Sequence, residues 1–449
     1  MHEYTDEIEQ LANKIVTAAR ERTRLDPIPL DHPRTEAELR EACGQTITAK
    51  GIGGDRALEL YTETLAPASL SPDFPRYLSF VPAAPTETAI LFDLMVGASS
   101  IYGGSWIEGA GAVFAENEAL DWIRRLCELP EGSGGVFVPG GTIGNLSAMV
   151  AARHDASLKA GDNRPARWAF LASAQSHSSI ESATQVMDCD VITSPVDDDF
   201  RMTGEGVAAA LAEHGDRICG VVATAGTTNL GRIDHLADIG AICREHNVWF
   251  HVDAAYGGAG MAAPKARPLF DGIEHADSVI IDPHKWLFAP FDCCALLYRD
   301  PDKARAVHAQ HAGYLSFLDR YGDWNPSDFA IHLTRRIRGL PFWFSLATHG
   351  SDAYGDAVQV TIDLAEEAAR QIRACEHLEL VVEPSLSVVA FQRIGWDADQ
   401  YSKRTEEMME AGSAFVVPSR HEGEPVYRFC FVNPKTTHDD IAAIIELLK

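Results

Sequence analysis

Short stretches of this sequence hold residues whose types and spacing could do chemistry. In Ser278-Val-Ile-Ile-Asp-Pro-His-Lys-Trp-Leu-Phe288, Lys285 stands among Ile280, Ile281, Trp286, Leu287 and Phe288. Lysine is rarely buried without a partner, and burial favours its neutral amine. Such an amine suits a nucleophile or a Schiff base; the plainer alternative is a lysine that snorkels to water. In Val248-Trp-Phe-His-Val-Asp-Ala-Ala-Tyr256, Asp253 closes an apolar run. A carboxylate there needs a cationic or hydrogen-bond-donating partner. His251 and Asp253 lie two apart and so share one face of a strand, unless the motif is only a capped strand end. In Gly135-Val-Phe-Val-Pro-Gly-Gly-Thr142 an apolar run enters a glycine turn. Gly141 occupies the position where a GxxxxGK[ST] loop requires lysine, and GxGxxG is not met, which argues against nucleoside triphosphates. What remains is either a tight turn that needs glycine or a set of free N–H groups, with the Thr142 hydroxyl, able to hold one phosphate monoester.

His177, in Ala172-Ser-Ala-Gln-Ser-His-Ser-Ser179, and the small-residue turn Ala223-Thr-Ala-Gly-Thr-Thr-Asn229 both follow apolar runs. A phosphate cradle, a buried aspartate, a buried lysine and a flat-packing histidine together match the needs of pyridoxal 5'-phosphate. In that reading the lysine forms the Schiff base, the aspartate keeps the pyridinium protonated and the turn holds the phosphate. A competing reading makes His177, His251, Asp253 and His284 a two-histidine, one-carboxylate metal site. It leaves Lys285 and the glycine turn unexplained, so no metal is expected.

Positioning these residues requires a particular framework. Apolar β-type runs at 135–138, 168–172, 218–224, 248–252, 278–281 and 294–298 alternate with helical stretches at 143–153, 204–213 and 236–246. That alternation predicts a mostly parallel sheet covered on both faces, with ligands at the carboxyl ends of its strands. A first segment, residues 1–85, opens with a helix whose apolar positions Ile8, Leu11, Ala12, Ile15, Ala18 and Ala19 follow Thr5 as N-cap, then becomes proline-rich. It reads as a wrapping segment. Residues 86–342 form the large domain. Residues 343–449 read as a small α+β domain: a helix at 351–375, strands at 378–382, 388–392 and 427–432, and a helix at 439–448.

Composition narrows the function classes. The 449 residues carry 38 Lys+Arg against 65 Asp+Glu, a formal charge of −27, which disfavours nucleic acid and anionic membrane as partners. Nine cysteines form no CxxC pair or metal-ligand spacing, so reduced thiols of a cytoplasmic protein are expected. The start, MHEYTDEIEQ, has no apolar signal-peptide core, and no run is long and apolar enough to span a bilayer.

With these residues in view, the sequence resembles the group II pyridoxal-phosphate decarboxylases, the family of aromatic-L-amino-acid, histidine and glutamate decarboxylases. The resemblance runs from Phe74-Pro-Arg-Tyr-Leu-Ser-Phe80 to Arg428-Phe-Cys-Phe-Val-Asn-Pro434. HVDAAYGG at 251–258, DPHKWL at 282–287 and FDCCALL at 291–297 carry it most strongly. It implies a type I aminotransferase-like fold with a seven-stranded sheet, and a homodimer. By position it makes Lys285 the covalent lysine and Asp253 the partner of the ring nitrogen. His177 would stack on the ring, with Ala255 on the opposite face. Gly141 and Thr142 would contact the phosphate, His284 precedes the lysine, and Thr228 and Asp234 complete the cofactor site. Tyr314, in His311-Ala-Gly-Tyr-Leu-Ser-Phe317, would be the mobile-loop tyrosine that returns a proton to the α-carbon.

The implied activity is decarboxylation of an L-amino acid to the amine and CO2, with an aldehyde synthase or another pyridoxal-phosphate lyase as the alternative. The preferred substrate is aromatic or bulky and apolar, because the pattern without long insertions resembles that branch. Departures bear on the side-chain pocket: Gly103-Gly104, Val81 and Asp73 stand where that branch carries aromatic residues or a histidine.

Overall fold

The computed structural model describes residues 2–310 and 324–449. Among them, seven strands form the central sheet: β1 (Gly134–Val138), β2 (Ala169–Ser173), β3 (Asp190–Ser194), β4 (Ile218–Thr224), β5 (Trp249–Asp253), β6 (Ser278–Ile281) and β7 (Cys294–Tyr298), in the order β1-β7-β6-β5-β4-β2-β3. All pairings are parallel except those of β7, which runs antiparallel to both β1 and β6. β2, β4, β5, β6 and β7 are buried along their whole length, which is why their sequences are continuous apolar runs rather than alternating ones. The edge strand β3 was absent from the sequence expectation. Its Asp-Val-Ile-Thr-Ser alternates between half-buried and exposed and lacks an apolar run.

Helices cover both faces and bring polar residues to the strand ends. The helix Gly141–Ala160 starts directly after β1 and packs on β4, β5 and β6. Its approach to β6 is close: a Cβ on Gly144 would lie 2.8 Å from Ile280 Cγ2 and 3.1 Å from Cys294 Sγ. A second sheet of antiparallel strands, β8 (Leu378–Leu380), β9 (Val388–Arg393), β10 (Pro418–His421) and β11 (Glu424–Cys430), has the order β10-β11-β9-β8. The helix Ser351–Arg373 joins the two units. Its Tyr354, Val358 and Ile362 enter the core under the large sheet, while Leu364 to Ile372 enter the core of the small one.

The first segment docks onto the small sheet rather than standing alone. Leu78 N–H donates to Phe415 O at 3.0 Å and Cys430 N–H donates to Leu78 O at 3.0 Å. The opening helix spans Asp6–Thr23, with Thr5 capping Ile8 N–H as anticipated. None of its residues is fully buried.

Candidate active site

At the carboxyl ends of the central strands lies a cavity of about 280 Å³. Each wall is the end of one element. β1 gives Pro139 and Gly140, and the following helix gives Gly141, Thr142 and Asn145. The loop after β2 gives His177, and the turn after β4 gives Thr224, Gly226 and Thr228. β5 ends in Asp253, followed by Ala255 and Tyr256, and the turn after β6 gives Asp282, His284 and Lys285. Sites at strand ends beside a helix N-terminus are where such sheets bind ligands. Gly226 has φ 112°, a conformation that side chains rarely adopt.

Lys285 is where the sequence placed it, but its charge is not what burial alone would give. Its Nζ lies 2.8 Å from Asp282 Oδ2, and the Asp282 side chain is 2% exposed. Burial pulls the lysine downward, yet the adjacent Asp282 outweighs it and holds the ammonium above its ordinary value. The free amine expected from apolar surroundings is thus corrected: Lys285 is a cation paired with Asp282. Burial likewise raises Asp282, but Lys285 and His284 outweigh burial and leave its carboxyl lowered.

His284 Nδ1 lies 2.7 Å from Cys293 O and 3.0 Å from Cys293 N, and its Nε2 lies 3.8 Å from Asp282 Oδ2. Burial lowers the pKa of His284. Asp253 is 5% exposed; its Oδ1 accepts from Ala255 N–H at 3.1 Å and its Oδ2 from Asn145 Nδ2 at 2.9 Å. His177 Nδ1 meets Ser179 Oγ at 2.8 Å.

Asp234 stands apart from the cavity. Its Oδ1 accepts from Met202 N–H and its Oδ2 from Thr224 N–H, each at 2.7 Å, and burial raises its carboxyl to about 6. It clamps the end of β4 from behind. Tyr314 lies outside the described residues. Asp73 is paired with Arg22, Nη2 to Oδ1 at 3.0 Å. Val81 packs on the main core, and a Cβ on Gly104 would collide with the Tyr102 ring. None of these three lines the cavity.

The metal reading loses its ligands in this arrangement. His251 engages both ring nitrogens, with Ser278 Oγ and Asn145 Oδ1, each at 2.8 Å. Among the described residues no group of three or more histidine, cysteine or acidic side chains is placed to hold a metal.

Asn145 and Asp282 were missed from sequence. Each had a signal: Asn145 is a polar residue on the buried side of a helix, and Asp282 lies three before Lys285, one helical turn away.

Residues 54–394 match the family model described as the pyridoxal-dependent decarboxylase conserved domain. The chain belongs to this family. It is therefore a carboxy-lyase that acts on amino acids with pyridoxal 5'-phosphate. A Bacillus atrophaeus aromatic-L-amino-acid decarboxylase is 28% identical over 92% of this chain and 88% of its own length. A Rattus norvegicus histidine decarboxylase is also 28% identical, over 82% of this chain but 59% of its own length, so the chain spans well under two thirds of that relative. The crystal structure of Oryza sativa TDC with PLP and tryptamine superposes with a TM-score of 0.91 at 22% identity, covering 100% of this chain and 98% of that one. This likeness bears out the type I aminotransferase-like fold.

The cavity fits the cofactor on structural grounds of its own. Gly140 and Gly141 open the N-terminus of a 20-residue helix toward it. A Cβ on Gly141 would sit 3.1 Å from Asp282 Oδ2 and 3.4 Å from Ala255 Cβ, filling the cradle. The buried Thr224 Oγ1 and Asp282 Oδ1 have no hydrogen-bond partner among the described residues.

Proposed function

We propose that this decarboxylase converts an aromatic or bulky apolar L-amino acid to its amine and CO2. The observation that carries the site assignment is the meeting of Lys285, paired to Asp282, with Asp253 and the Gly140–Thr142 turn around one cavity. When bound, pyridoxal 5'-phosphate supplies an electron sink for the bond broken at the α-carbon. Lys285 would hold it covalently, and Asp282 accepts the hydrogen bond that orients the lysine. Asp253 would keep a proton on the ring nitrogen, since its carboxylate retains acceptor capacity beyond its two present donors. Gly141 and Thr142 would bind the phosphate at the helix N-terminus, with Thr228 beside them. His177 and Ala255 would enclose the ring and exclude water, and His284 flanks the lysine. Asp234 would act through Thr224. On the resemblance alone, Tyr314 would return the proton to the α-carbon.

The substrate preference is supported by the overall pattern and by similarity to a relative named for aromatic amino acids. The same reading retains residues 1–85, 86–342 and 343–449 as three units. It places the chain in the cytoplasm, supported by nine free cysteines, and assembles it as a homodimer. No helix among the described residues is long and apolar enough to cross a membrane.

The test is a panel of tryptophan, tyrosine, phenylalanine, Dopa, histidine, glutamate, aspartate, diaminobutyrate and branched aliphatic acids, read by CO2 and amine release. Aromatic substrates should lead by k cat/KM; a protein without a borohydride-sensitive band at ~420 nm would sink the site assignment. Tyr314→Phe should cut amine release by ~10²-fold, with aldehyde and ammonia appearing instead at the expense of dissolved O2, which is reduced to peroxide. Unchanged amine output would remove Tyr314 from the reaction.

A further inference from the structure

Behind the cavity the polar side chains are joined by one amide. Asn145 is 1% exposed and sits one turn inside the helix Gly141–Ala160. The directions of its hydrogen bonds follow from Asp253, whose carboxylate only accepts. The amide NH2 must face Asp253, so Oδ1 faces His251 Nε2 at 2.8 Å, and that ring nitrogen must carry the proton. His251 Nδ1 is then an acceptor for the Ser278 hydroxyl at 2.8 Å, while Ser278 Oγ itself accepts from the donor-only Trp249 indole at 2.9 Å. Burial agrees with this, pulling His251 down to about 4 and keeping it neutral near pH 7.

The second Asn145 N–H goes to Ser179 Oγ at 2.9 Å. His177 Nδ1 accepts the Ser179 backbone N–H from 3.2 Å, so it carries no proton, and the Ser179 hydroxyl 2.8 Å away donates to it as well. Two donors on Nδ1 leave the His177 proton on Nε2.

We propose that Asn145 is a positioning residue: its one amide holds the Asp253 carboxylate in place and, through Ser179, sets the ring tautomer of His177. The two side chains assigned to the cofactor's ring nitrogen and ring face are thereby fixed together. What they face rests on the function proposed above; the network itself does not.

A double-mutant cycle with cofactor affinity as readout separates this role from a merely structural one. Asn145→Leu should weaken pyridoxal 5'-phosphate binding by about 10- to 100-fold, since a charged acceptor loses its donor. In an Asp253→Ala background the same change should cost clearly less, keeping only the part that runs through Ser179 to His177. Equal losses in both backgrounds would overturn the proposal. If Asn145→Leu fails to fold, Ser179→Ala, which cuts only the branch to His177, is read instead by imidazole ¹⁵N NMR. With only the longer, 3.2 Å backbone donor left on Nδ1, the Nε2 tautomer of His177 should give way to a mixture; an unchanged tautomer overturns the branch. Cofactor-free wild type should show His177 and His251 each protonated on Nε2, and a proton on His251 Nδ1 would refute the network. Those tautomers in a chain that takes up no cofactor would instead refute the proposed function and leave the network standing.

Discussion

Lys285 is half of an ion pair, and this changes what removing it should do. Deleting the lysine leaves Asp282, 2% exposed, as a buried carboxylate without its cation. Lys285→Ala should therefore lose turnover and the ~420 nm band and also melt lower at pH 7, by the equivalent of about 3 kcal/mol. Adding Asp282→Asn should restore most of that stability without restoring activity. The pH dependence has a definite sign. In the wild type the Asp282 carboxyl is lowered and the Lys285 ammonium raised, so the pair contributes fully between their unfolded values, about pH 4 to 10. Its contribution fades as acid protonates Asp282 below that window, and as base discharges Lys285 above it. In Lys285→Ala burial acts on Asp282 against His284 only and raises it, so the deficit against wild type should shrink as pH falls toward 4. Melting curves from pH 4 to 8 check this. A deficit independent of pH would mean that Asp282 does not carry the cost.

At the scale of elements, most of the framework was legible because burial on both faces writes strands as unbroken apolar runs. β4, β6 and β7 fall on the anticipated residues, and β1, β2 and β5 within one residue at either end. Of the four edge strands β1 and β8 were legible, whereas β3 and β10, half solvated and without such runs, were not. Lys285, Asp253 and His177 stood out because each follows an apolar run. Their partners did not, since the contacts of Asn145 with Asp253 and Ser179 span 108 and 34 residues of sequence. The glycine turn after β1 separates two demands that sequence alone could not tell apart. Gly141 faces the cavity, where an added methyl would lie 3.1 Å from Asp282 Oδ2 and 3.3 Å from Ile280 Cδ1, whereas Gly144 sits closer on β6, where it would overlap Ile280 at 2.8 Å. Gly141→Ala should leave the melting temperature nearly unchanged, because alanine's better helix preference is offset by its close approach to Asp282 and Ile280. It should also lower cofactor affinity by tenfold or more, by occupying the cradle. Gly144→Ala should do the reverse, losing about 1–3 kcal/mol of stability to overpacking with affinity nearly unchanged. Calorimetry and cofactor titration on the pair decide it; a common response would mean the turn has a single structural role.

For the whole molecule, the proposed homodimer would bury apolar surface around the first segment. On the opening helix, Ile8, Ile15 and Val16 are 42%, 44% and 39% exposed. The helix Glu87–Ser99 adds Leu91, Leu94 and Met95, and Phe114 of the helix Trp106–Leu126 is 56% exposed. Burying a side chain of this kind is worth about 1.5–3 kcal/mol, so covering several of them would favour the proposed association. A two-fold partner would cover the same patch on both copies at once. The expected species in sedimentation at low micromolar concentration is about 98 kDa, twice the 48.9 kDa chain. Ile15→Glu with Val16→Glu places two charges on the opening helix without touching Leu11, which packs against Gly54. That variant should shift the population toward monomer, with the far-UV helical signal kept. Activity should fall with the dimer fraction if each site needs its partner, and recover as concentration rises. A fully active wild-type species of chain mass, or a variant that stays dimeric, would show that this surface has another occupant and that one chain builds the whole site.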